Sequence, residues 1–301
     1  MAKVLVIGDI NVDVVSQYEG VLNQNSDTPT RTSITLGGSP SNVSTWLAHS
    51  NVPVDLLGGI GNDMFGSWAL KQLDVYGVRT SQVTVYGADN TGTCVILVNA
   101  SGDRTMLPDP GANLQVHPDE VFDAAIDAAD ILIMSAYSFI RHETRDMAVH
   151  AVRRARVNGL NVVLDAASAA PIRAAGPRLV REWLWMADIV VANEDELRAL
   201  GSDVTPDWTS LMDNMIVKRG SQGATWYMKG RRIHDVAAAE VDVVDTTGAG
   251  DAFLAGIVSS LVQYPSWHFL NDDKRIAALT AASQLAGECC ARVGATPGPR
   301  E

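Results

Sequence analysis

The sequence predicts an α/β protein with a parallel sheet flanked by helices on both faces and a second, smaller β-sheet. Apolar runs alternate with amphipathic helical patterns from residue 118 onward, and polar or glycine-containing turns follow those runs. The β-like segments at about residues 12–36 and 83–109 do not alternate with helices, so they predict the small sheet. We expect both sheets to belong to a single domain of residues 1–301.

The N-terminal elements follow from short apolar runs and the turns between them. Residues 4–7 are uniformly apolar and precede a glycine, which is typical of a buried parallel strand. Residues 54–57 predict another strand. The glycine-rich stretch 58–63 predicts a turn into a helix that Asp63 caps and Gly77 ends.

The rest of the chain predicts a β-hairpin followed by alternating helices and strands. Residues 91–98 and 104–107, joined by a polar turn, predict the hairpin. Ligands of parallel sheets bind beyond the carboxyl ends of the strands, so residues just after each strand are candidate site residues. The alternating segments are helix 118–128, strand 131–134, helix 142–158, strand 161–164, helix 178–186 and strand 189–192.

Composition narrows the class of protein. With 47% hydrophobic and 19% charged residues the chain is typical of a globular protein, and its net charge of −12 argues against nucleic-acid binding. No apolar run is long enough to cross a bilayer and no leader pattern is evident, so we expect a cytoplasmic protein without a membrane partner. Three cysteines do not predict a disulfide framework.

The stretch DTTGAGDAF, residues 245–253, has the pattern of a phosphate site. A strand-like apolar run at 241–244 leads into Asp245, and Gly248, Ala249 and Gly250 open a helix whose unpaired N–H groups favour negative charge. Asp251 then places a carboxylate beside an anion site, and we interpret it as a catalytic base. The positive end of the helix should stabilise its ionised form and make it a weak base.

Other nucleotide motifs do not fit this chain. The pattern GxxxxGK[ST] does not occur, and the GAG turn lacks the acidic residue about 20 positions on that a dinucleotide site needs. A glycine-rich turn that merely caps a helix is the structural alternative. The flanking threonines, Asp251 and Phe253 favour the phosphate site.

The DTTGAGDAF stretch resembles the second signature of the ribokinase-like (PfkB) family of carbohydrate kinases. Residues 37–78, GGSPSNVSTWLA through GGIGNDMFG to YGV, resemble the first signature, with departures at His49-Ser50 and Arg79. The resemblance implies a ribokinase-like fold and ATP-dependent transfer of the γ-phosphate to a primary hydroxyl of a sugar. It also implies that the small sheet is a lid over the sugar, with a homodimer through that lid as an option.

The resemblance also implies a set of binding residues for ATP and Mg²⁺ besides the sugar, with K⁺ activation as an option. Asn193 and Glu196 could instead form only a helix cap, and the glycines near 220 only a turn. The implied residues are Asn11, Asp13, Gly37, Gly38 and Asn42 for the sugar; Asn193, Lys218, Gly220, Gly223 and Gly250 for ATP; Glu196 for Mg²⁺ through water; and Asp245, Thr247 and Thr296 for a monovalent cation.

The acceptor is expected to be a neutral sugar. Asp13 faces the implied pocket and Ser39 follows the glycine pair without a basic side chain, so a phosphate or carboxylate would find little positive charge. Arg104 is the one obvious candidate to reach the pocket, and we expect it to lie in solvent at the hairpin. Tyr137 stands where ribokinases tend to carry an acidic residue, so ribose itself is in doubt.

Other readings stay open on the sequence alone. A ribokinase-like enzyme is the first choice, and a fructokinase or nucleoside kinase of the same family is the near alternative. A sugar-sensing protein without turnover is the alternative from another class, although such a protein would be expected to lose the base or the anion turn. The seven tryptophans show no spacing that suggests base stacking, so we expect them in the core or in interfaces.

Overall fold

The computed structural model describes residues 2–201 and 209–298, which leaves Trp208 outside the described residues. Its strands, in chain order, are β1 (Val4–Ile7), β2 (Asn11–Tyr18), β3 (Thr30–Gly37), β4 (Val54–Gly61), β5 (Arg79–Tyr86), β6 (Gly92–Val98), β7 (Arg104–Asp109), β8 (Ile131–Ser135), β9 (Asn161–Asp165), β10 (Ile189–Asn193), β11 (Met215–Lys218), β12 (Ala224–Met228) and β13 (Arg231–Val236). Its helices are α1 (Ser39–His49), α2 (Met64–Tyr76), α3 (Glu120–Asp127), α4 (Tyr137–Ile140), α5 (His142–Val157), α6 (Ala169–Ala175), α7 (Pro177–Leu184), α8 (Glu194–Ala199), α9 (Ala249–Leu261) and α10 (Asp272–Cys290).

The large sheet has nine strands in the order β13-β12-β11-β10-β9-β8-β1-β4-β5. Strands from β11 to β5 run parallel, while β12 and β13 add an antiparallel edge. The carboxyl ends of β1, β8, β9, β10 and β11 therefore meet at one edge of the sheet. The candidate site residues that follow these strands are brought to that edge.

Helices cover both faces of the large sheet, as the sequence predicts. In β1, Val4 and Val6 pack into one core with α1, α2, α9 and α10, whereas Leu5 and Ile7 pack into the other with α3, α5, α6 and α7. Successive strand residues point to opposite faces, so an apolar run without alternation is what a strand buried on both sides requires. The α/β fold class is confirmed.

The second sheet has four strands in the order β3-β2-β6-β7. Strand β2 pairs antiparallel with β3 and parallel with β6, and β6 forms the expected hairpin with β7. The hairpin turn is closed by Asn99, whose side chain accepts from the N–H groups of Ser101 and Asp103, and Gly102 takes a φ of 85°. We call β2, β3, β6 and β7 the small sheet.

Three local expectations are wrong. Residues 83–86 belong to β5, which pairs with β4 in the large sheet, so the small sheet does not begin at 83. Residues 58–61 continue β4 because they still pair with β5. Residues 241–244 form no strand: Val241, Val243 and Val244 are exposed, since this segment bonds to the end of α10 through the Cys290 carbonyl and not to a sheet.

Most of the expected caps and core residues are present. Asp63 accepts from the Gly66 N–H at the start of α2, and Gly77 ends that helix with a φ of 84°. Trp46, Trp226 and Trp267 are fully buried, whereas Trp185 is 37% exposed. Within the described residues, no helix combines the length and apolar character needed to cross a bilayer.

Candidate active site

The GAG turn starts α9 at the carboxyl edge of the large sheet. Gly248 is the N-cap residue and has a φ of 77°, a conformation that favours glycine. A Cβ built on it would lie 2.6 Å from Ala295 Cα, so close packing against the C-terminal segment also requires glycine here. The Ala249 N–H makes a long bond to the Thr246 carbonyl at 3.3 Å, which leaves the Gly250 and Asp251 N–H groups as the freer donors of the first turn.

Asp251 is held by two side chains from the start of α1. Ser39 Oγ donates to its Oδ1 at 2.6 Å and Asn42 Nδ2 donates to its Oδ2 at 2.9 Å. Burial nevertheless raises the pKa of Asp251 to about 6, against the lowering by those two donors. The expectation of a weak base is therefore wrong, because desolvation outweighs the helix N-terminus and the hydrogen bonds.

Asn42 carries an unsatisfied acceptor beside Asp251. The residue is only 6% exposed, and its Oδ1 has no hydrogen-bond partner among the described residues. A buried amide oxygen without a donor costs free energy on the order of 1–3 kcal/mol, so such an atom is a place where a ligand donor is expected. Sequence reasoning named Asn42 but missed Ser39, whose role depends on contact with a residue far along the chain.

Asp13 lies close enough to Asp251 for the two carboxylates to interact electrostatically. Burial, followed by the charge of Asp251, raises the pKa of Asp13 to about 6. Gly37 gives this carboxylate its space, because a Cβ there would lie 2.1 Å from Asp13 Oδ1. Gly38, with a φ of 87°, would bring a Cβ within 2.4 Å of the Asp9 carbonyl, so both glycines permit a close approach of the backbone.

Asn11 is oriented by Asn113, a residue that sequence reasoning did not assign to the site. Asn113 is buried, accepts from the Ile10 N–H at 2.9 Å and donates to Asn11 Oδ1 at 2.8 Å. Gly92 allows this contact, since a Cβ there would lie 2.2 Å from Asn11 Oδ1. The GAN triplet at residues 111–113 was the available signal.

A second charged cluster follows β9, β10 and β11. Lys218 Nζ lies 3.2 Å from Asp165 Oδ2, and a Cβ on Gly250 would lie 3.0 Å from the same ammonium, so Lys218 reaches the GAG turn. Although burial lowers the pKa of Lys218, the Asp165 and Glu196 charges raise it overall. Asp165 was not predicted, because its contact with Lys218 spans two strand ends that are distant in sequence.

Glu196 is both a helix cap and a member of this cluster. Its two carboxylate oxygens accept from the Asn193 N–H at 2.7 Å and from Asn193 Nδ2 at 2.6 Å, which completes a capping box at the start of α8. Glu196 is 5% exposed, and burial followed by the Asp165 charge raises its pKa. Asn193 and Glu196 therefore do cap α8, and this capping does not exclude a role in ligand binding.

The turn between β11 and β12 contains the two predicted ATP glycines. Gly223 has a φ of 86° and would bring a Cβ to 1.9 Å from the Val236 carbonyl, so its backbone needs glycine for packing. Gly220 has a φ of 56° and open space around its Cα. Of the two, Gly220 is the one that a ligand can approach.

Asp245 anchors the loop before the GAG turn. Its Oδ1 accepts from the Thr247 N–H at 2.9 Å and from Thr247 Oγ1 at 2.6 Å, and its Oδ2 accepts from the Gly294 N–H at 3.0 Å. Burial would raise the pKa of Asp245, but these bonds and the Arg104 charge lower it overall. Thr296 Oγ1, in turn, is bonded to the Tyr76 hydroxyl at 3.0 Å.

Arg104 is exposed, as the sequence predicts, but its side chain also forms an ion pair that the sequence did not predict. It is the first residue of β7, and its Nη2 donates to Asp245 Oδ1, so it joins the small sheet to the loop before the GAG turn. Its side chain is 34% exposed. The pairing could not be predicted because it depends on how the two sheets pack.

A second arginine that sequence reasoning missed lies near Tyr137. Arg141 Nη1 donates to both carboxylate oxygens of Asp9, at 2.9 and 2.7 Å, and its guanidinium lies 5.8 Å from the centre of the Tyr137 ring. Burial raises the pKa of Tyr137. Arg104 and Arg141 are therefore both already paired with aspartates.

Comparison with known proteins matches the whole chain. Residues 1–301 match the family described as pfkB family carbohydrate kinase. The chain is 31% identical to an ATP-dependent ribose-1-phosphate kinase of Halopiger xanaduensis, over 99% of this chain and 95% of that protein. It is 28% identical to a deoxyribokinase of Salmonella typhi, over 86% of each. The solved structure of Arabidopsis thaliana ribokinase with ribose and ATP superposes with a TM-score of 0.81 at 23% identity, covering 98% of this chain and 94% of that one, which shows a shared fold.

Proposed function

Because this chain belongs to the pfkB family of carbohydrate kinases, we propose that it transfers the γ-phosphate of ATP to a primary hydroxyl of a neutral sugar, with Asp251 as the base. The observation that carries the proposal is the arrangement around Asp251. A carboxylate with a pKa of about 6 lies beside a helix N-terminus and next to the unsatisfied Asn42 Oδ1. One sugar hydroxyl can donate to a remaining lone pair of Asp251, and a second hydroxyl can supply the donor that Asn42 Oδ1 lacks.

The acceptor hydroxyl binds between Asp251 and Asn42. It donates its proton to Asp251, which is ionised at neutral pH because its pKa is about 6. Ser39 and Asn42 fix the orientation of the carboxylate through their hydrogen bonds. Since phosphoryl transfer builds charge on the attacking oxygen late, this orientation is the main contribution of the base.

The phosphates bind at the GAG turn. The N–H groups of Gly250 and Asp251 and the positive end of α9 attract the γ-phosphate. Lys218, which reaches Gly250, adds a positive charge, and the open Gly220 turn borders the nucleotide. Together they offset the net charge of −12 that opposes an anionic ligand.

Magnesium fits the cluster formed by Glu196 and Asp165. Burial and mutual repulsion raise the pKa of Glu196, and a divalent cation would relieve that repulsion. Among the described residues no group of three or more His, Cys, Asp or Glu side chains is suited to hold a metal ion. Its other ligands would be phosphate oxygens and water, and the ion would supply positive charge to the phosphates.

Potassium does not fit the residues implied for it. The Thr247 hydroxyl is hydrogen-bonded to Asp245, and Arg104 supplies the positive charge at that carboxylate. The Thr296 hydroxyl is hydrogen-bonded to Tyr76. The oxygens of these side chains are thus engaged by protein groups. We derive no step through a monovalent cation.

A neutral acceptor agrees with the charges around the pocket. Asp13 and Asp251 are both acidic, and Arg104 and Arg141 are neutralised by Asp245 and Asp9. A phosphate on the acceptor would have to displace one of these aspartates. A sugar phosphate is the second candidate, since a relative at 31% identity is named a ribose-1-phosphate kinase.

The deciding experiment is an ADP-release assay across neutral sugars, nucleosides and sugar phosphates. We expect the highest kcat/KM with a neutral pentose or hexose, which would favour a ribokinase or fructokinase. A nucleoside as best acceptor would favour the nucleoside kinase alternative. A preference for ribose 1-phosphate that Arg141→Gln abolishes would contradict the neutral acceptor, and no turnover with any acceptor would favour a sugar sensor.

A homodimer through the small sheet is part of the proposal. Val14, Ile34, Val95 and Leu107 form one cross-strand row on the face opposite Asp13, and the last three are 49%, 38% and 54% exposed. A second copy would cover this apolar row. Sedimentation velocity should show a dimer that the double variant Ile34→Glu, Leu107→Glu dissociates, and a monomeric wild type would contradict it.

A further inference from the structure

An ion pair between Arg104 and Asp245 joins the small sheet to the loop before the GAG turn. We propose that Arg104 is a positioning residue that closes the small sheet over the site and couples this closure to the turn that holds the phosphates. The inference rests on the proposed kinase function for its kinetic part only. The contact itself and its effect on backbone exchange do not depend on the substrate.

Arg104 lies on the face of the small sheet that looks into the site. Asp13 is opposite Cys94, and Cys94 is opposite Pro108. Directly paired residues share a face and alternate residues of a strand do too, so Arg104 lies on the same face as Asp13. One face of one sheet therefore carries both a pocket carboxylate and the arginine that reaches the loop.

Asp245 transmits the position of Arg104 to the GAG turn. The same Oδ1 that accepts from Arg104 also accepts from the N–H and Oγ1 of Thr247, the residue before Gly248. Its Oδ2 accepts from Gly294, whose neighbour Ala295 packs on Gly248. A shift of Asp245 would therefore move both Thr247 and the Gly294–Ala295 segment, the two parts of the chain that support the GAG turn.

The pair is suited to repeated opening and closing. The Arg104 side chain is 34% exposed and Asp245 is 15% exposed, so water can replace the guanidinium when the small sheet moves away. Asp245 would keep its three donors from Thr247 and Gly294, so the loop survives opening. A fully buried pair would instead leave an unpaired charge and resist separation.

The direct test is hydrogen exchange of the free protein, with Arg104→Gln, Arg104→Lys and a control. Arg31→Gln is the matched control, because Arg31 pairs with Gln17 in the same sheet, lies on the same face by register, and has no ion pair with another described residue. We expect Arg104→Gln to speed exchange about fivefold both in β6–β7 and at residues 244–248, the scale of one partly exposed ion pair. Arg104→Lys should restore most of the protection, and Arg31→Gln should leave exchange unchanged.

Kinetics provide the second readout. With the best acceptor, Arg104→Gln should raise the KM of the sugar about fivefold and increase ATP hydrolysis without sugar transfer, since an open small sheet admits water. Unchanged exchange in Arg104→Gln would overturn the proposal, and an effect on the KM of ATP alone would make Arg104 a phosphate ligand instead. If wild type phosphorylates no sugar, the kinase function fails while the exchange result still decides the role of Arg104.

Discussion

Asp245 and Asp251 belong to one short stretch of sequence, yet their surroundings shift their pKa values in opposite directions. Burial by itself would raise the pKa of both carboxyls. At Asp245 the donors of Thr247, Gly294 and Arg104 overcome it, whereas at Asp251 two side-chain donors do not. The count and charge of the donors, more than the residue type, separate an anchoring carboxylate from a reactive one.

The largest expected effect is from Asp251→Asn. Turnover should fall about 10²–10⁴-fold because the amide cannot accept the hydroxyl proton, while ATP should bind equally well or more tightly once a negative charge beside the phosphates is gone. Steady-state kinetics and ATP titration measure the two effects. Turnover near that of wild type would remove Asp251 from the mechanism.

Compared with Asp251→Asn, Asp245→Asn should lose more stability and less activity. The variant loses a charge that holds Thr247, Gly294 and Arg104, so the free energy of unfolding should drop by about 1–3 kcal/mol. Turnover should fall about 10- to 100-fold through displacement of the turn, less than in Asp251→Asn. Urea unfolding followed by tryptophan fluorescence measures the change in the free energy of unfolding. A stability equal to that of Asp251→Asn would contradict the difference proposed between Asp245 and Asp251.

The pH dependence should follow Asp251. Since the base must be ionised and its pKa is about 6, kcat/KM should decline as pH falls through 6, approaching tenfold per pH unit. Ser39→Ala removes a donor that lowers this pKa, so the acid limb should move up by about one pH unit. The control is Ser259→Ala, because the Ser259 hydroxyl donates to the Ala255 carbonyl within α9. An acid limb that stays in place in Ser39→Ala would contradict the assignment.

Asp13→Asn should give the smallest effect, on stability. The pKa of Asp13 is about 6 in the folded protein, above the value of about 4 for an unfolded chain. The contribution of Asp13 to the free energy of unfolding is therefore fully present below about pH 4 and is lost as pH rises through 6. The variant should therefore be more stable than wild type at pH 8, by on the order of 1 kcal/mol, and equal to it at pH 4. A stability difference independent of pH, seen by thermal unfolding, would rule out a raised pKa.

The sequence was sufficient where structure is local. The GAG turn, the α2 caps and the β6–β7 hairpin depend on a few neighbouring residues, and most of the large sheet follows from apolar runs that alternate with helical patterns. The β12–β13 edge was not predicted because Arg231–Val236 carries mostly polar residues. A strand was wrongly predicted at residues 241–244, because apolar side chains on the surface of a loop give the same sequence pattern as a strand.

The site was only partly predictable for a different reason. Gly248, Asp251 and Asn42 stand in recognisable signatures, so they could be named. Ser39 with Asp251 and Arg104 with Asp245 are contacts across 212 and 141 positions, and no local pattern reports them. The pKa of Asp251 depends on burial by the whole fold, which is why reasoning from the helix N-terminus alone gave the wrong direction.

The contact between Gly248 and Ala295 also governs when this site can exist. A chain grows from its N-terminus, so the large sheet, the GAG turn and Asp251 are all synthesised before the segment that supports the turn. Ala295 supplies both the surface on which Gly248 rests and the carbonyl that accepts from Trp46 Nε1 at 2.8 Å. A nascent chain therefore holds Asp251 and the GAG turn without this support until residue 295 has been synthesised and has left the ribosome.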